Sequence, residues 1–230
     1  VPPPEGLAPP YTGREHIVAE DNSAAASYDA PKVTADHFVG SPNRDNVYFT
    51  WTVFDFSCGA THDQFCESPI WGSMSTDHGF TWSTPEMISG ANAGVCTMGN
   101  AFNPDLNPAA CNLDGHSDLT VRPNGELAVT FISQNTPTQN PQILSLRCHP
   151  AGSSPAGTAH LNCGTPQKVA DYVTGPTCDF GRGPEQCIPG VFIRAPFETS
   201  QRLTVDERTG ALYNTWYDYR LGEFDVFVTR

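Results

Sequence analysis

The loop between residues 103 and 118 is rich in side chains that could bind a metal ion. Carboxylate and amide oxygens recur there at short intervals, in Asp105, Asn107, Asn112, Asp114 and Asp118. Calcium binds about six to eight such oxygens, and a disulfide that closed the loop would hold them together. The spacing is not that of an EF-hand, and Asn and Asp also form ordinary turns. The loop is therefore a candidate calcium site, with turn formation as the interpretation we favour. No other cofactor is indicated.

The eight cysteines could form disulfides or bind a metal. No CxxC motif and no zinc-like Cys/His spacing occurs, which disfavours zinc. The cysteines fall into four close pairs, each around a loop rich in Gly, Pro or Asn, and we expect nearest-neighbour disulfides, although spacing alone does not fix the connectivity: Cys58–Cys66, Cys96–Cys111, Cys148–Cys163 and Cys178–Cys187. Disulfides indicate an oxidising compartment, so we expect an extracellular, periplasmic or cell-surface protein.

The composition excludes several classes of partner. The 230 residues include 12 Lys and Arg against 25 Asp and Glu, a formal net charge of −13. Nucleic acids and anionic membranes attract basic surfaces, so neither is expected as the main partner. No apolar run approaches the roughly 20 residues of a transmembrane helix. With 20 Gly, 21 Pro and 38% hydrophobic residues, the chain is predicted to be a turn-rich, all-β globular protein.

Three segments share one pattern of a short extended run, a polar turn and a strongly β-prone run. Within 47–53, one set of side chains alternates with another at the period of a strand: Val47, Phe49, Trp51 and Val53 against Tyr48, Thr50 and Thr52. After the β-prone run 47–56, the first segment continues with predicted strands at 70–75 and 82–89. The other segments continue at 142–148 and 167–173 and at 225–230. Four antiparallel strands in a unit favour propeller blades over a sandwich. We predict an extended N-terminal lead-in over 1–15, followed by blade units at about 31–89, 117–173 and 201–230. Since no signal peptide is visible, the sequence is expected to begin after processing.

One hairpin carries a specific motif, S-x-D-x-G-x-T-W. Its defining residues are Ser75, Asp77, Gly79, Thr81 and Trp82. The motif resembles the Asp-box, or BNR repeat, of sialidases and related β-propellers. Asp77 can accept backbone N–H groups, Gly79 can adopt positive φ, and Trp82 can pack beneath the turn. We therefore expect a structural role for the motif rather than a catalytic one.

The resemblance extends over residues 203–230, which look like another blade of secreted sialidase-family proteins. Residues 16–19 (HIVA) resemble the fourth-strand segments near 86–89 and 168–171, as expected if one end of the chain completes a blade at the other. About three blades are half of a six-bladed sialidase propeller. The resemblance thus implies that the sequence is a fragment, or that a second copy or another chain completes the ring.

The same resemblance implies candidate catalytic residues. A sialidase binds the sugar carboxylate with three arginines and uses an Asp acid and a Tyr nucleophile assisted by a Glu. Arg194, in the sequence FIRAP, is the nearest match to the family's F/Y-R-I-P arginine, although a surface or loop-anchoring role is the alternative. Asp218 or Glu223 could stand where the acid is expected. The other catalytic residues would lie in blades outside this sequence.

The location of the long loops suggests where a ligand would bind. In a four-stranded blade, the Asp-box turn and the first turn lie at one end, and sialidases bind substrate at the other. Three long loops, 57–69, 90–116 and 176–196, are expected at that ligand end, whereas Cys148–Cys163 is expected beside the Asp-box end. The main hypothesis is a module that binds a glycan or an extracellular protein. The alternatives are the N-terminal part of a sialidase-type exo-glycosidase and a structural component of a cell-surface assembly.

Overall fold

All regular secondary structure in the described residues is β, as predicted. The computed structural model describes residues 16–57, 65–99, 107–136, 140–152, 158–179, 184–188, 193–194 and 201–230, and only the backbone of 184–186, 188, 193 and 194. Within these ranges, no helix has the length and apolar character needed to cross a membrane. The strands form open antiparallel sheets of three to five strands.

The first sheet contains four strands in sequence order. They are β1 (Ala26–Ala35), β2 (Val47–Asp55), β3 (Ile70–Ser75) and β4 (Glu86–Met87). On β2, the side chains of Tyr48, Thr50 and Thr52 are buried. The last strand is shorter than the predicted 82–89, because the preceding hairpin occupies the first residues and Pro85 has no N–H to pair.

The second sheet has five strands, one more than predicted for a blade. They are β5 (Asp114–Val121), β6 (Leu127–Ser133), β7 (Gln142–Ala151), β8 (His160–Cys163) and β9 (Gln167–Asp171). Both β8 and β9 pair with β7, at its end and its beginning respectively. The additional strand arises because β7 continues past Cys148 into a hairpin, in which Cys148 lies directly opposite Cys163.

Two three-stranded sheets complete the described fold. The third sheet contains β13 (Arg202–Val205), β14 (Leu212–Asp218) and β15 (Asp225–Thr229). A small sheet that the sequence did not predict contains β10 (Thr177–Asp179), β11 (Pro184–Ile188) and β12 (Ile193–Arg194). Its strands are two to five residues long, too short for a periodic hydrophobic pattern to mark them.

The first two units begin earlier than predicted, because each first strand contains a bulge. The pairing register shifts between Asp29 and Lys32 in β1, and between Gly115 and Asp118 in β5. Ala30 and His116 have positive φ angles of 51° and 50° at these places. A bulge interrupts the alternation of side chains without ending the strand, so sequence periodicity places the start too late.

The second sheet lies between the first and third sheets. One of its faces contributes Val129 and Phe131 to a core that includes Tyr48 and Met74 of the first sheet. On the other face, Ile132 packs in a second core with Trp216 of the third sheet. The first strands of the three sheets are neighbours, since β5 contacts both β1 and β13.

In the first, second and third sheets, a turn connects the first two strands (36–46, 122–126 and 206–210). The three turns meet at one end of the molecule, which we call the turn end. The Asn43 amide donates to the carbonyl of Gly125 at 3.0 Å, and Arg122 Nε donates to the carbonyl of Gly210 at 3.0 Å. Gly125 has φ 80°, and a Cβ atom there would lie 2.6 Å from Ser41 Oγ. Glycine is therefore required for this contact between two sheets.

Candidate functional site

The hairpin of residues 75–82, for which the sequence predicts an Asp-box, follows β3 at the turn end. Asp77 Oδ1 accepts hydrogen bonds from Ser75 Oγ at 2.7 Å and Thr81 N at 2.8 Å, and its Oδ2 accepts from Thr81 Oγ1 at 2.7 Å. Gly79 has φ 85°, and the ring of Trp82 lies edge-on to that of Phe49 at 6.0 Å. Both carboxylate oxygens of Asp77 are thus used within the turn.

These hydrogen bonds also determine the ionisation of Asp77. Burial disfavours the charged form, but the hydrogen bonds from Thr81, Ser75 and the Phe80 N–H outweigh it and lower the pKa of Asp77 to about 2. Asp77 is therefore a carboxylate at neutral pH.

Three of the predicted disulfides are present: Cys96–Cys111, Cys148–Cys163 and Cys178–Cys187. Cys66 is also disulfide-bonded, and Cys58 lies outside the described residues. The first of these bonds closes the connection between β4 and β5. This connection lies at the end of the molecule opposite the turn end, which we call the loop end (described residues 56–57, 65–69, 88–99, 107–113, 134–136 and 219–224). The second closes the β7–β8 hairpin at the turn end, as predicted.

A buried amide network anchors the connections that meet at the loop end. Asn135 is fully buried just after β6; its Oδ1 accepts from the N–H groups of Asn112 and Leu113, and its Nδ2 donates to the carbonyl of Gly99. Asn112 in turn donates from Nδ2 to Glu67 Oε2 at 2.7 Å. The connection that contains Gly99 and Asn112 is thereby held to Asn135 in the β6–β7 connection, and Asn112 links the connection that contains Glu67 to the same network.

Asp114, a predicted calcium ligand, is a buried acid at the start of β5. It is 4% exposed, and within the described part of the chain neither carboxyl oxygen has a partner that meets hydrogen-bond geometry. Burial raises the pKa of Asp114 to about 8, although the nearby hydroxyls of Ser133 and Ser89 favour ionisation.

The other predicted calcium ligands are not brought together. The Asn112 side chain is occupied by Asn135 and Glu67. Asp118 Oδ2 accepts the N–H of Leu203 in β13, and Asn107 is exposed in a turn with φ 51°. Asp105 lies outside the described residues. Across the ranges that the structure describes, no three His, Cys, Asp or Glu side chains are grouped as a metal site requires.

Asp218, a candidate catalytic acid, is completely buried at the end of β14. Its carboxylate accepts from Trp216 Nε1 at 3.0 Å and from Arg220 Nε at 2.9 and 3.0 Å. Arg220 lies over the Phe227 ring and donates to the carbonyl of Asp171 at the end of β9. Burial opposes ionisation, but the hydrogen bonds and charge of Arg220, together with Trp216, lower the pKa of Asp218. Asp218 is therefore ionised and cannot serve as a proton donor at neutral pH.

The remaining candidates do not form a catalytic group with Asp218. Glu223 is exposed in the connection between β14 and β15. The backbone of Arg194 lies in β12 opposite Cys187, and its side chain is outside the described residues.

Aromatic side chains form two groups near the loop end. The Phe65 ring lies 4.9 Å from Phe54 and 6.1 Å from Phe56, and Phe65 is 39% exposed. The Phe224 ring lies 5.2 Å from Tyr219. Such rings offer large contact areas to a ligand at little cost in conformational entropy.

Sequence analysis missed the residues that organise this end. Most hydrogen bonds of the Asn135 side chain join it to residues 22 or more positions away, so no local pattern marked it. Arg220 did give a signal, because an arginine two residues after Asp218 can pair with the Asp218 carboxylate.

Comparison with known proteins adds no assignment: no family model matches this chain, and no curated protein matches it.

Proposed function

We propose that the protein is an extracellular Asp-box module of the sialidase-like propeller type, and that its loop end binds a glycan or a protein partner. The observation that supports this most directly is the anchoring of several long connections at one end by Asn135 and the Cys96–Cys111 disulfide. Ordered loops cost less conformational entropy on binding than free ones. At the turn end, by contrast, the turns 36–46, 122–126 and 206–210 bind one another.

Three features support a propeller-type arrangement. The first, second and third sheets stack in sequence order, their first strands are neighbours, and a complete Asp-box follows the third strand of the first sheet. In this proposal, the three sheets are consecutive blades.

Binding is favoured over hydrolysis by the state of the candidate acids. Asp218 is ionised and held by Arg220, and Glu223 is an exposed loop residue. A glycosidase of this class needs a protonated acid beside the scissile bond. Hydrolysis of a sialoside remains the alternative that the following experiment tests.

The proposal predicts glycan binding that depends on the loop-end aromatics. The full chain would be applied to a glycan array, and each hit would be titrated with Phe65→Ala and with Val39→Ala, an exposed apolar residue at the turn end. We expect Phe65→Ala to weaken binding by about tenfold or more and Val39→Ala to leave it unchanged.

Two results would contradict this function. An empty array together with an empty pull-down of extracellular proteins would exclude a binding role. Release of a fluorescent group from a sialoside by the wild type, lost in Arg194→Ala, would instead identify a glycosidase.

A further inference from the structure

The turn between β5 and β6, at the turn end, contains the only Asn-Gly pair in the sequence, Asn124 and Gly125. Asn124 is exposed, whereas Gly125 is buried. The backbone nitrogen after an asparagine can attack the side-chain amide carbon, and glycine hinders this attack least because it has no Cβ atom. The pair is therefore a candidate site of covalent modification.

The reaction takes place within the chain and consumes only water. The Gly125 nitrogen loses its proton and forms a bond to Cγ of Asn124, while the Cγ–Nδ2 bond breaks and ammonia leaves. Water then opens the resulting cyclic imide at one of its two carbonyl groups. One product has an ordinary aspartate at position 124. The other has isoaspartate, in which the main chain runs through the side-chain carbon and is longer by a methylene group.

Two hydrogen bonds within the turn hold the reacting groups. Asn124 Oδ1 accepts the N–H of Glu126 at 3.2 Å, which keeps the side-chain amide beside the backbone that follows it. The N–H of Gly125 donates to the carbonyl of Arg122 at 2.8 Å. This second bond stabilises the protonated nitrogen, so it must open before the nitrogen can react.

Contacts with the first sheet oppose that opening. The Asn43 side-chain amide donates to the carbonyl of Gly125 at 3.0 Å. A Cβ atom at Gly125 would lie 2.6 Å from Ser41 Oγ and 2.9 Å from Asn43 Nδ2, so the glycine backbone is enclosed by the neighbouring turn. The free energy of a local opening depends on the contacts that it breaks. The first sheet therefore restrains the reactive nitrogen of the second.

The products are incompatible with this contact. Isoaspartate lengthens the main chain next to Gly125, where Ser41 and Asn43 leave no space. Either product also adds a negative charge two residues before the buried Glu126, whose carboxylate is already paired with Arg122 at 2.6 Å. Like charges repel, so modification would weaken the link between the first and second sheets.

We propose that Asn124 is a site of spontaneous deamidation, and that the contact of Asn43 with Gly125 controls its rate. Each opening of the contact frees the nitrogen to react, and the reaction then prevents the contact from forming again as before. The turn end is thus the place where the protein ages chemically, independently of any ligand at the loop end.

Mass spectrometry of the folded full chain tests the site. The protein would be kept in mildly alkaline buffer and digested at intervals, and each asparagine would be followed by the mass gained when NH₂ is replaced by OH. We expect Asn124 to react faster than Asn22, which is also exposed but precedes Ser23. We expect it to react more slowly than in a synthetic peptide of residues 119–129, LTVRPNGELAV, in which no first sheet restrains the nitrogen.

Variants of the neighbouring turn test the control. Asn43→Ala should accelerate the reaction at Asn124 by about threefold to tenfold, the effect of losing one hydrogen bond on the frequency of opening. Asn46→Ala is the matched control, since it removes the same kind of side chain from the same turn, but one that donates to Tyr48 Oη. Ser41→Ala, which removes the hydroxyl that accepts the Asn43 N–H, gives a second test if Asn43→Ala does not fold.

The isolated products test the consequence. Anion exchange separates the modified protein, and the isoaspartate form should unfold at lower urea concentration than Asn124→Asp, which has the added charge without the longer main chain.

Three results would overturn the proposal. One is a rate at Asn124 in the folded protein no higher than that at Asn22. The others are a rate equal to that of the peptide, and equal rates in the wild type, Asn43→Ala and Ser41→Ala. Each would leave ligand binding at the loop end unaffected.

Discussion

At the scale of single residues, the surroundings hold two carboxyl groups of this protein in opposite ionisation states. Asp77 receives hydrogen bonds within the turn after β3, which lower its pKa to about 2, whereas burial raises the pKa of Asp114 to about 8. The first group is therefore charged and stabilising at neutral pH. The second is neutral, and its ionisation would oppose folding.

Asp77→Asn should destabilise the first sheet. An amide cannot replace a carboxylate that accepts three hydrogen bonds through two oxygens, and we expect a loss of about 1–3 kcal/mol at pH 7 in urea unfolding. Because the folded pKa is depressed, this contribution is complete above about pH 4 and is lost as the pH falls towards 2. Equal stabilities of variant and wild type at pH 7 would contradict the role given to Asp77.

Asp114→Asn should change the pH dependence of stability. Between about pH 4 and 8, the unfolded chain releases the Asp114 proton and the folded protein retains it, so wild-type stability falls as the pH rises. The Asn variant lacks this term. Thermal unfolding from pH 5 to 9 should give a flatter profile for the variant and a higher Tm than wild type at pH 8. Parallel profiles would show that Asp114 is not protonated in the folded state.

At the scale of elements, an ion pair at the end of β14 is one of the contacts that attach the third sheet to the second. Arg220 donates to the buried Asp218 and also to the carbonyl of Asp171 in β9. Its guanidinium also lies 4.4 Å from the centre of the Phe227 ring. One side chain therefore connects the two sheets at the loop end.

Arg220→Met should cost about 3 kcal/mol, because it leaves the Asp218 carboxylate buried without its cation. Arg220→Lys should recover only part of this loss, since an ammonium group cannot make the same set of planar contacts. Denaturant unfolding of the three proteins would measure both effects. If Lys restored full stability, charge alone rather than guanidinium geometry would account for the pair.

Strands in which buried and exposed side chains alternate regularly were predicted from the sequence, whereas bulged or very short strands were not. The bounds of β3 were predicted correctly, and β2 was predicted within one residue, because alternating aromatic residues mark buried strands. Bulges at Ala30 and His116 displaced the predicted starts of β1 and β5. The short β8 was missed because its four residues are too few for a pattern.

The candidate site was less predictable, since it depends on contacts between distant residues. The spacing of Asp and Asn around 105–118 indicated a common cluster, yet the strand that begins at Asp114 places Asp114 and Asp118 in different environments. The role of Asn135 could not be predicted, because its hydrogen-bond partners come together only when separate connections meet in the folded protein.

At the scale of the whole molecule, the turn end links all three sheets. His37 of the first sheet lies 3.3 Å from Glu207 of the third, and Asn43 and Arg122 complete the set of contacts. The His37–Glu207 pair is exposed and contributes little. Arg122 matters more, because it also donates to the buried Glu126 at 2.6 Å.

Arg122→Met should therefore destabilise the molecule by about 2 kcal/mol, since it removes both the link to Gly210 and the closest cation of Glu126. The double variant with Glu126→Gln should be less destabilised than the sum of the single variants. His37→Ala, which removes the exposed link, is the control and should change stability by less than about 0.5 kcal/mol. Strict additivity in guanidinium unfolding would show that Arg122 and Glu126 do not interact.

The three described disulfides share a property that bears on how such a protein could diversify. Each joins cysteines only 15, 15 and 9 residues apart. Every bridge thus closes a ring inside a single insertion or hairpin, and none of the three fastens one sheet to another. A ring of this kind keeps its two ends joined whatever sequence it encloses. Residues between Gly99 and Cys111 could therefore be exchanged while the disulfide and the contact of Asn135 with Gly99 hold the ends of the loop in place.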